Sequence, residues 1–215
     1  MLSRIAATLF PVFGNLTVSG AERPRPGSIL VANHTSLSDP AVVVAALRRL
    51  GTEPVIMATA GLWRVPVLGA ALRREGHIAV HRGTERAAES LDAAADALAA
   101  GRCVLLYGEG RLPARRDVGE APPGPFRSGV ARLALRTGAP VVPVGQAGAR
   151  RISSGSRAKQ LAGALTAPAR RPDLHVHVAA PVHLPPGEVP AATAHVHRAV
   201  TAAWRTAVDT LARQA

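Results

Sequence analysis

Cysteine, lysine and aromatic residues are nearly absent from this chain of 215 residues. Cys103 is the only cysteine, which excludes an intramolecular disulfide and a cysteine-built zinc site, and it sits in an apolar run that reads as core strand. Lys159 is the only lysine and has no P-loop around it, and the glycines near position 108 do not make a dinucleotide fingerprint, so no nucleotide cofactor is implied. Aromatics amount to 3%, too few to interleave with basic residues as stacking platforms, which argues against a nucleic-acid-binding protein although the net charge is +12. Long apolar runs are missing too: residues 5–13 are too few to span a bilayer and are interrupted by Pro11. There is no linker and no internal repeat, and with hydrophobic residues at 47% disorder is excluded.

What remains is enough for one domain with a real core. Short apolar runs alternate with Ala-rich helical patterns, the signature of βαβ units, so the expected fold class is α/β: a largely parallel sheet flanked by helices. Strands are expected at 28–32, 54–58, 77–81, 102–107, 141–144 and 174–179. Helices are expected at 40–50, closed by Gly51, from a Thr84 cap to 100, closed by Gly101, at 126–136, stopped by Gly138, and at 191–213 with Val196, Val200, Trp204, Val208 and Leu211 inward. Residues 1–20 read as an N-terminal helical segment with Leu2, Ile5, Leu9 and Val12 or Phe13 along one side, either packed on the domain or lying in a membrane interface. The whole chain, 1–215, reads as a single domain.

Three loops after strands carry the chemistry, and in a parallel sheet such loops converge on one crevice. The first holds Asn33, His34 and Asp39, an imidazole and a carboxylate five residues apart around a turn; together they make a general base, whereas Asp39 alone, before Pro40, also suits a helix N-cap. The second ends in Arg82, placed to grip an anion. The third runs Tyr107-Gly108-Glu109-Gly110-Arg111, an acid and a base between glycines that allow tight turns. His175 and His177 share one face of a strand, but no carboxylate cluster accompanies them and no metal site is expected.

These motifs resemble the glycerolipid acyltransferases, specifically the bacterial 1-acyl-sn-glycerol-3-phosphate acyltransferase (lysophosphatidic acid acyltransferase) group. The family's first block, Asn-His, four residues and Asp, matches Asn33, His34 and Asp39; its second matches Gly76, Ile78, Val80 and Arg82. Its third, usually Phe-Pro-Glu-Gly-Thr-Arg-Ser, appears as Tyr107-Gly108-Glu109-Gly110-Arg111-Leu112-Pro113, and its fourth fits Val141-Val142-Pro143-Val144. The third block departs from the pattern: proline becomes Gly108 and the guanidinium moves one place earlier, leaving Arg111, Arg115, Arg116 and Arg127 as replacements among which the sequence does not choose.

The resemblance implies an O-acyltransferase that moves a fatty acyl group from a thioester, acyl-CoA or acyl carrier protein, to the free hydroxyl of a lysophospholipid, with these thioesters as co-substrates and no cofactor. It implies His34 as base, Asp39 as its orienting acid, and Asn33, Gly76, Arg82, Glu109, Gly110 and Arg111 around the substrate, with backbone N–H groups near Gly110 as oxyanion donors. It also implies a cytoplasmic protein held at the inner face of the cell membrane by anionic lipid. Another lysolipid or a specialised-metabolite alcohol is the alternative acceptor. Covalent routes through Ser36, Ser38 or Cys103 are the rival mechanism.

Overall fold

A computed structural model describes residues 14–20, 23–83, 86–112, 119–152 and 154–214. The expected helix within 1–13, the Thr84 cap, and Arg115 and Arg116 lie outside these residues. Seven strands form one sheet: β1 (Asn15–Gly20), β2 (Ile29–Ala32), β3 (Val55–Thr59), β4 (Ile78–Val80), β5 (Val104–Tyr107), β6 (Val141–Ala147) and β7 (Asp173–Val178). Their order is β1-β7-β6-β2-β5-β3-β4. The run from β6 to β4 is parallel; β7 pairs antiparallel with β6, and β1 parallel with β7. The α/β expectation therefore holds.

Among the described residues the helices are α1 (Asp39–Arg49), α2 (Leu68–Arg74), α3 (Ala87–Ala99), α4 (Gly129–Thr137), α5 (Ala149–Ile152), α6 (Arg157–Arg170) and α7 (Val189–Gln214), with a 3₁₀ turn at Ala60–Arg64. All four residues of β2 are fully buried, because helices cover both faces of a parallel sheet. On one face, Val42, Val43 and Leu47 of α1 pack on Leu30, Leu105 and Val142; on the other, Val196 and Val200 of α7 and Leu133 of α4 meet Ile29, Val31 and Val141. Each fully buried Leu or Ile contributes about 1.5–3 kcal/mol, so the middle strands are the rigid platform from which the loops leave.

Two expectations are corrected. Residues 15–20, read as the end of a helical segment, form edge strand β1. The alternation of Leu16, Thr17, Val18 and Ser19 suits a strand, and Thr17 and Ser19 hydroxyls meet the His175 ring nitrogens at 2.7 and 2.8 Å, with Ser19 also 3.0 Å from His177 Nδ1. The paired histidines are thus engaged across a strand pair, and no metal-ligating cluster occurs among the described residues. The region 149–170, which carried no expected element, forms α5 and α6.

Candidate active site

The site is assembled by strand order. His34 follows β2, Glu109 follows β5, Gln146 belongs to the end of β6, and β5 and β6 are the two neighbours of β2. Arg82 follows β4, two strands beyond β5 and therefore about 10 Å along the edge at roughly 4.8 Å per strand.

Asp39 is the buried centre of the first loop. Its Oδ2 lies 2.8 Å from His34 Nδ1 and accepts from the Thr35 and Ser36 backbone N–H groups, and its Oδ1 accepts from Thr35 Oγ1 at 3.1 Å. Ser38, not Asp39, holds the N-cap position of α1 and makes no side-chain cap bond, so the Asp39 carboxylate is turned back towards the histidine loop rather than spent on the helix. An oxygen already accepting two N–H donors is an acceptor, so His34 Nδ1 donates to it. That leaves Nε2 as the acceptor on the neutral ring, the atom a base uses.

Other groups hold the ring in place. Tyr107 stacks on His34 with centroids 4.3 Å apart and planes at 27°. Burial first, then the Asp39 and Glu109 carboxylates, push the Tyr107 phenol well above its usual pKa, so it stays neutral, and its hydroxyl is buried without a hydrogen-bond partner. Glu109 Oε2 accepts the His34 backbone N–H at 3.1 Å, and burial raises its carboxyl above the usual glutamate range. Asn33 is fully buried and clamps β2 to β6: its Nδ2 donates to the Gln146 carbonyl at 3.1 Å and its Oδ1 accepts the Gln146 N–H at 2.8 Å. Gln146 Nε2 in turn donates to Thr35 Oγ1 at 2.9 Å, and Arg150 Nη1 to the Thr35 carbonyl at 2.9 Å.

A cavity of about 580 Å³ opens over this assembly. Its walls include His34, Glu109, Arg111, Arg127 and Arg150, closed outwards by a proline-rich strap, residues 121–126. Glu120 anchors the strap, accepting from the Gly148 N–H at 2.8 Å and from Trp204 Nε1 at 3.5 Å; burial raises its carboxyl too. At its other end the Phe126 ring occupies the space beside Gly108, where even a Cβ would come within 2.2 Å of ring carbon. The Arg127 N–H then bonds the Gly108 carbonyl at 2.9 Å, and the Arg127 side chain lies over Gly110, its Cδ 3.0 Å from where a Cβ would stand. Partial burial first, then the positive charge of Arg127, lower the Arg82 pKa, so the two guanidiniums from separate segments lie within electrostatic reach, Arg127 on the cavity wall and Arg82 outside its lining.

Not every residue named from sequence joins this cluster. Gly76 stands at the opposite edge of the sheet, before β4, where its φ of +69° ends α2. Asn33 is a clamp sealed away from the cavity walls. The Gly110 N–H is taken by the Tyr107 carbonyl at 3.1 Å, which removes it as an oxyanion donor. Cys103 is buried at the start of β5, with Sγ 3.3 Å from the Arg25 carbonyl and a thiol pKa raised by burial. Gln146, Arg150, Glu120 and the stacking role of Tyr107 gave no sequence signal of their own; only the packing of β6, α5 and α7 brings them in.

The acyltransferase family model matches residues 15–146, more than half of the chain. No curated protein sequence matches. Among solved structures, the 1-acyl-sn-glycerophosphate (LPA) acyltransferase PlsC from Thermotoga maritima is similar, with a TM-score of 0.69 at 19% identity over 97% of this chain and 76% of that one. That likeness is one of fold.

Proposed function

The chain belongs to the acyltransferase family, and from that premise we propose that it acylates the free hydroxyl of a lysophospholipid, 1-acyl-glycerol-3-phosphate being the simplest acceptor and phosphatidic acid the product. The observation that carries this reading is the His34–Asp39 pair at 2.8 Å, set in a cavity with arginines on its walls.

His34 Nε2 takes the proton of the acceptor hydroxyl as its oxygen attacks the thioester carbonyl. Asp39, fixed in place by two backbone N–H groups, orients His34 and stabilises the imidazolium that forms. The tetrahedral intermediate collapses, the C–S bond breaks, and the imidazolium returns its proton to the leaving thiolate. An ester and a free thiol result. General-base catalysis of this kind contributes about 10²- to 10⁴-fold.

Arg82 and Arg127 hold the acceptor's phosphate. Two neighbouring guanidiniums repel each other, and an anion between them relieves that repulsion. Among the described residues neither has an ion-pair partner to do so. Ser36 is not needed as a nucleophile: it is buried, and its Oγ accepts the Ser38 N–H at 3.1 Å.

Purified protein incubated with lysophosphatidic acid and either acyl-coenzyme A or acyl carrier protein thioester tests the reading. Phosphatidic acid is expected with at least one donor and is lost in His34→Ala of unchanged melting temperature. Near-normal turnover in that variant, or a trapped acyl-enzyme, overturns the mechanism. Acylation of a phosphate-free alcohol in preference to the lysolipid overturns the acceptor.

A further inference from the structure

The two oxygens of Asp39 are held differently. Oδ2 gathers three donors, His34 Nδ1 and the Thr35 and Ser36 backbone N–H groups, whereas the bond to Oδ1 among the described residues comes from the Thr35 hydroxyl, at 3.1 Å. Thr35 therefore grips the carboxylate twice, with its backbone on one oxygen and its side chain on the other. A carboxylate held by one oxygen can swing about its Cβ–Cγ bond; held by both, it has one plane, and His34 Nδ1 meets it at 2.8 Å. Thr35 is one of the four residues that the sequence pattern leaves unspecified between His34 and Asp39.

A threonine hydroxyl carries one hydrogen and rotates about its C–O bond, so its direction needs a cause. Gln146 supplies it. Its Nε2 lies 2.9 Å from Thr35 Oγ1, and an amide nitrogen only donates, so the hydroxyl accepts on that side and its own hydrogen is left for Asp39. The reverse amide orientation would set two acceptors against that one hydrogen. Gln146 is fully buried at the end of β6, its backbone bonded twice to Asn33, so its side chain has no solvent to turn to. Its Oε1 is buried without a hydrogen-bond partner. An unpaired buried acceptor weighs against folding, so the amide is better explained by what its nitrogen holds than by stability. Arg150 Nη1 holds the Thr35 carbonyl at 2.9 Å, bracing the same residue from α5.

We infer that Thr35 and Gln146 are positioning residues for the base. A one-way chain of hydrogen bonds, from Gln146 Nε2–H to Thr35 Oγ1–H to Asp39 Oδ1, sets the plane of the carboxylate and through it the direction in which His34 Nε2 points. No proton travels along the chain. Both residues act through Asp39, and neither has to touch substrate: Gln146 is absent from the cavity walls, and Thr35, which is on them, has its hydroxyl engaged on both sides. The kinetic consequence rests on the acyltransferase reading; the effect on the His34 ring does not.

Kinetics with lysophosphatidic acid, melting temperatures and the proton resonance of His34 Nδ1–H, all on the full chain, test this. Thr35→Val keeps the shape and removes the hydroxyl; it is expected to lower kcat by about tenfold to a hundredfold with little change in acceptor KM, and to shift the His34 resonance. Thr35→Ser is expected to recover most of that loss. Gln146→Met is expected to lower kcat by about tenfold while the melting temperature holds or rises, because an unpaired acceptor is removed. The double variant is expected to be no slower than Thr35→Val alone, since the amide acts only through the hydroxyl. If Thr35→Val does not fold, Thr35→Ser and Gln146→Met carry the same test. A loss confined to KM, additive losses in the double variant, a melting temperature in Gln146→Met that falls in step with turnover, or an unmoved His34 resonance overturns the inference and leaves the acyltransferase reading intact. A wild type that acylates no acceptor sinks that reading instead; the chain then stands if the His34 resonance shifts in the folded variants and falls if it does not.

Discussion

Where the strands of the parallel run begin, four helices finish in the same way. Gly51, Gly76, Gly101 and Gly138 follow α1, α2, α3 and α4 with φ between +66° and +74°, each just before the chain enters a strand. Where the strands end, glycines at positive φ recur as Gly83, Gly110 and Gly148 after β4, β5 and β6, but Val67 takes a positive φ as well, large apolar side chains face water, and the Tyr107 hydroxyl is buried without a partner. The same strands serve both edges, so the difference is not one of core packing. One edge is closed by glycine turns, with Thr52 Oγ1 buried there without a partner; the other adds a strained valine and the orphaned Tyr107 hydroxyl beside the catalytic histidine, as sites for chemistry and binding commonly do.

The comparison breaks most visibly if activity does not follow the edges. Asp39→Asn is expected to cost about 10²- to 10⁴-fold in kcat with a smaller change in acceptor KM, because the amide reorients His34 rather than emptying the cavity; steady-state kinetics reads the split. Gly108→Ala is expected next: the added Cβ displaces Phe126 and with it Arg127, so acceptor KM rises while the fold loses about 1–3 kcal/mol. Gly76→Ala, at the other edge, is expected to cost about 1 kcal/mol through its left-handed backbone and to keep full specific activity per folded molecule. A comparable activity loss in Gly76→Ala refutes the division.

Titration sharpens the contrast because the two edges respond to pH with opposite sign. At the strand-beginning edge, burial lowers the His77 pKa below 6.5, against the raising effect of Glu75, and its Nδ1 accepts the Ile56 N–H at 3.1 Å. The unfolded chain takes up that proton first, so this contribution is present above about pH 6.5 and is lost as pH falls towards the lowered folded value. At the other edge Glu109 and Glu120 have raised values, so the unfolded chain releases their protons first. Their contribution is therefore full below the usual glutamate pKa of about 4.3 and is lost as pH rises through the elevated folded values. Denaturant midpoints across pH are expected to flatten on the acid side in His77→Gln and on the neutral side in Glu120→Gln. The smallest effect is Val67→Gly: relief of the φ +62° strain outweighs the added chain entropy by under about 1 kcal/mol, so the denaturant midpoint rises slightly while turnover is unchanged.

Much of this was legible in the sequence. The apolar runs gave every strand of the parallel sheet within a few residues, because continuous burial on two faces leaves a continuous apolar string. The terminal glycines gave the helix ends. His34 and Asp39 were readable because their partnership is local, five residues around one turn. β1 was not, since a short edge strand alternates polar and apolar residues and owes its identity to β7, far along the chain. Gly76 was read into the site because it precedes a strand whose far end matters; sequence spacing does not say which end of a strand faces the ligand.

Local patterning and turn chemistry thus determined the α/β class, the strand positions, the helix ends and the histidine–carboxylate pair, since each depends on neighbours a few residues away. Tertiary structure alone decided that Arg127 lies within electrostatic reach of Arg82, that Phe126 fills the space beside Gly108, that Tyr107 stacks on His34, and that Gln146 meets Thr35. Those relations join segments far apart in sequence, and only the order and direction of the strands in the sheet bring them together.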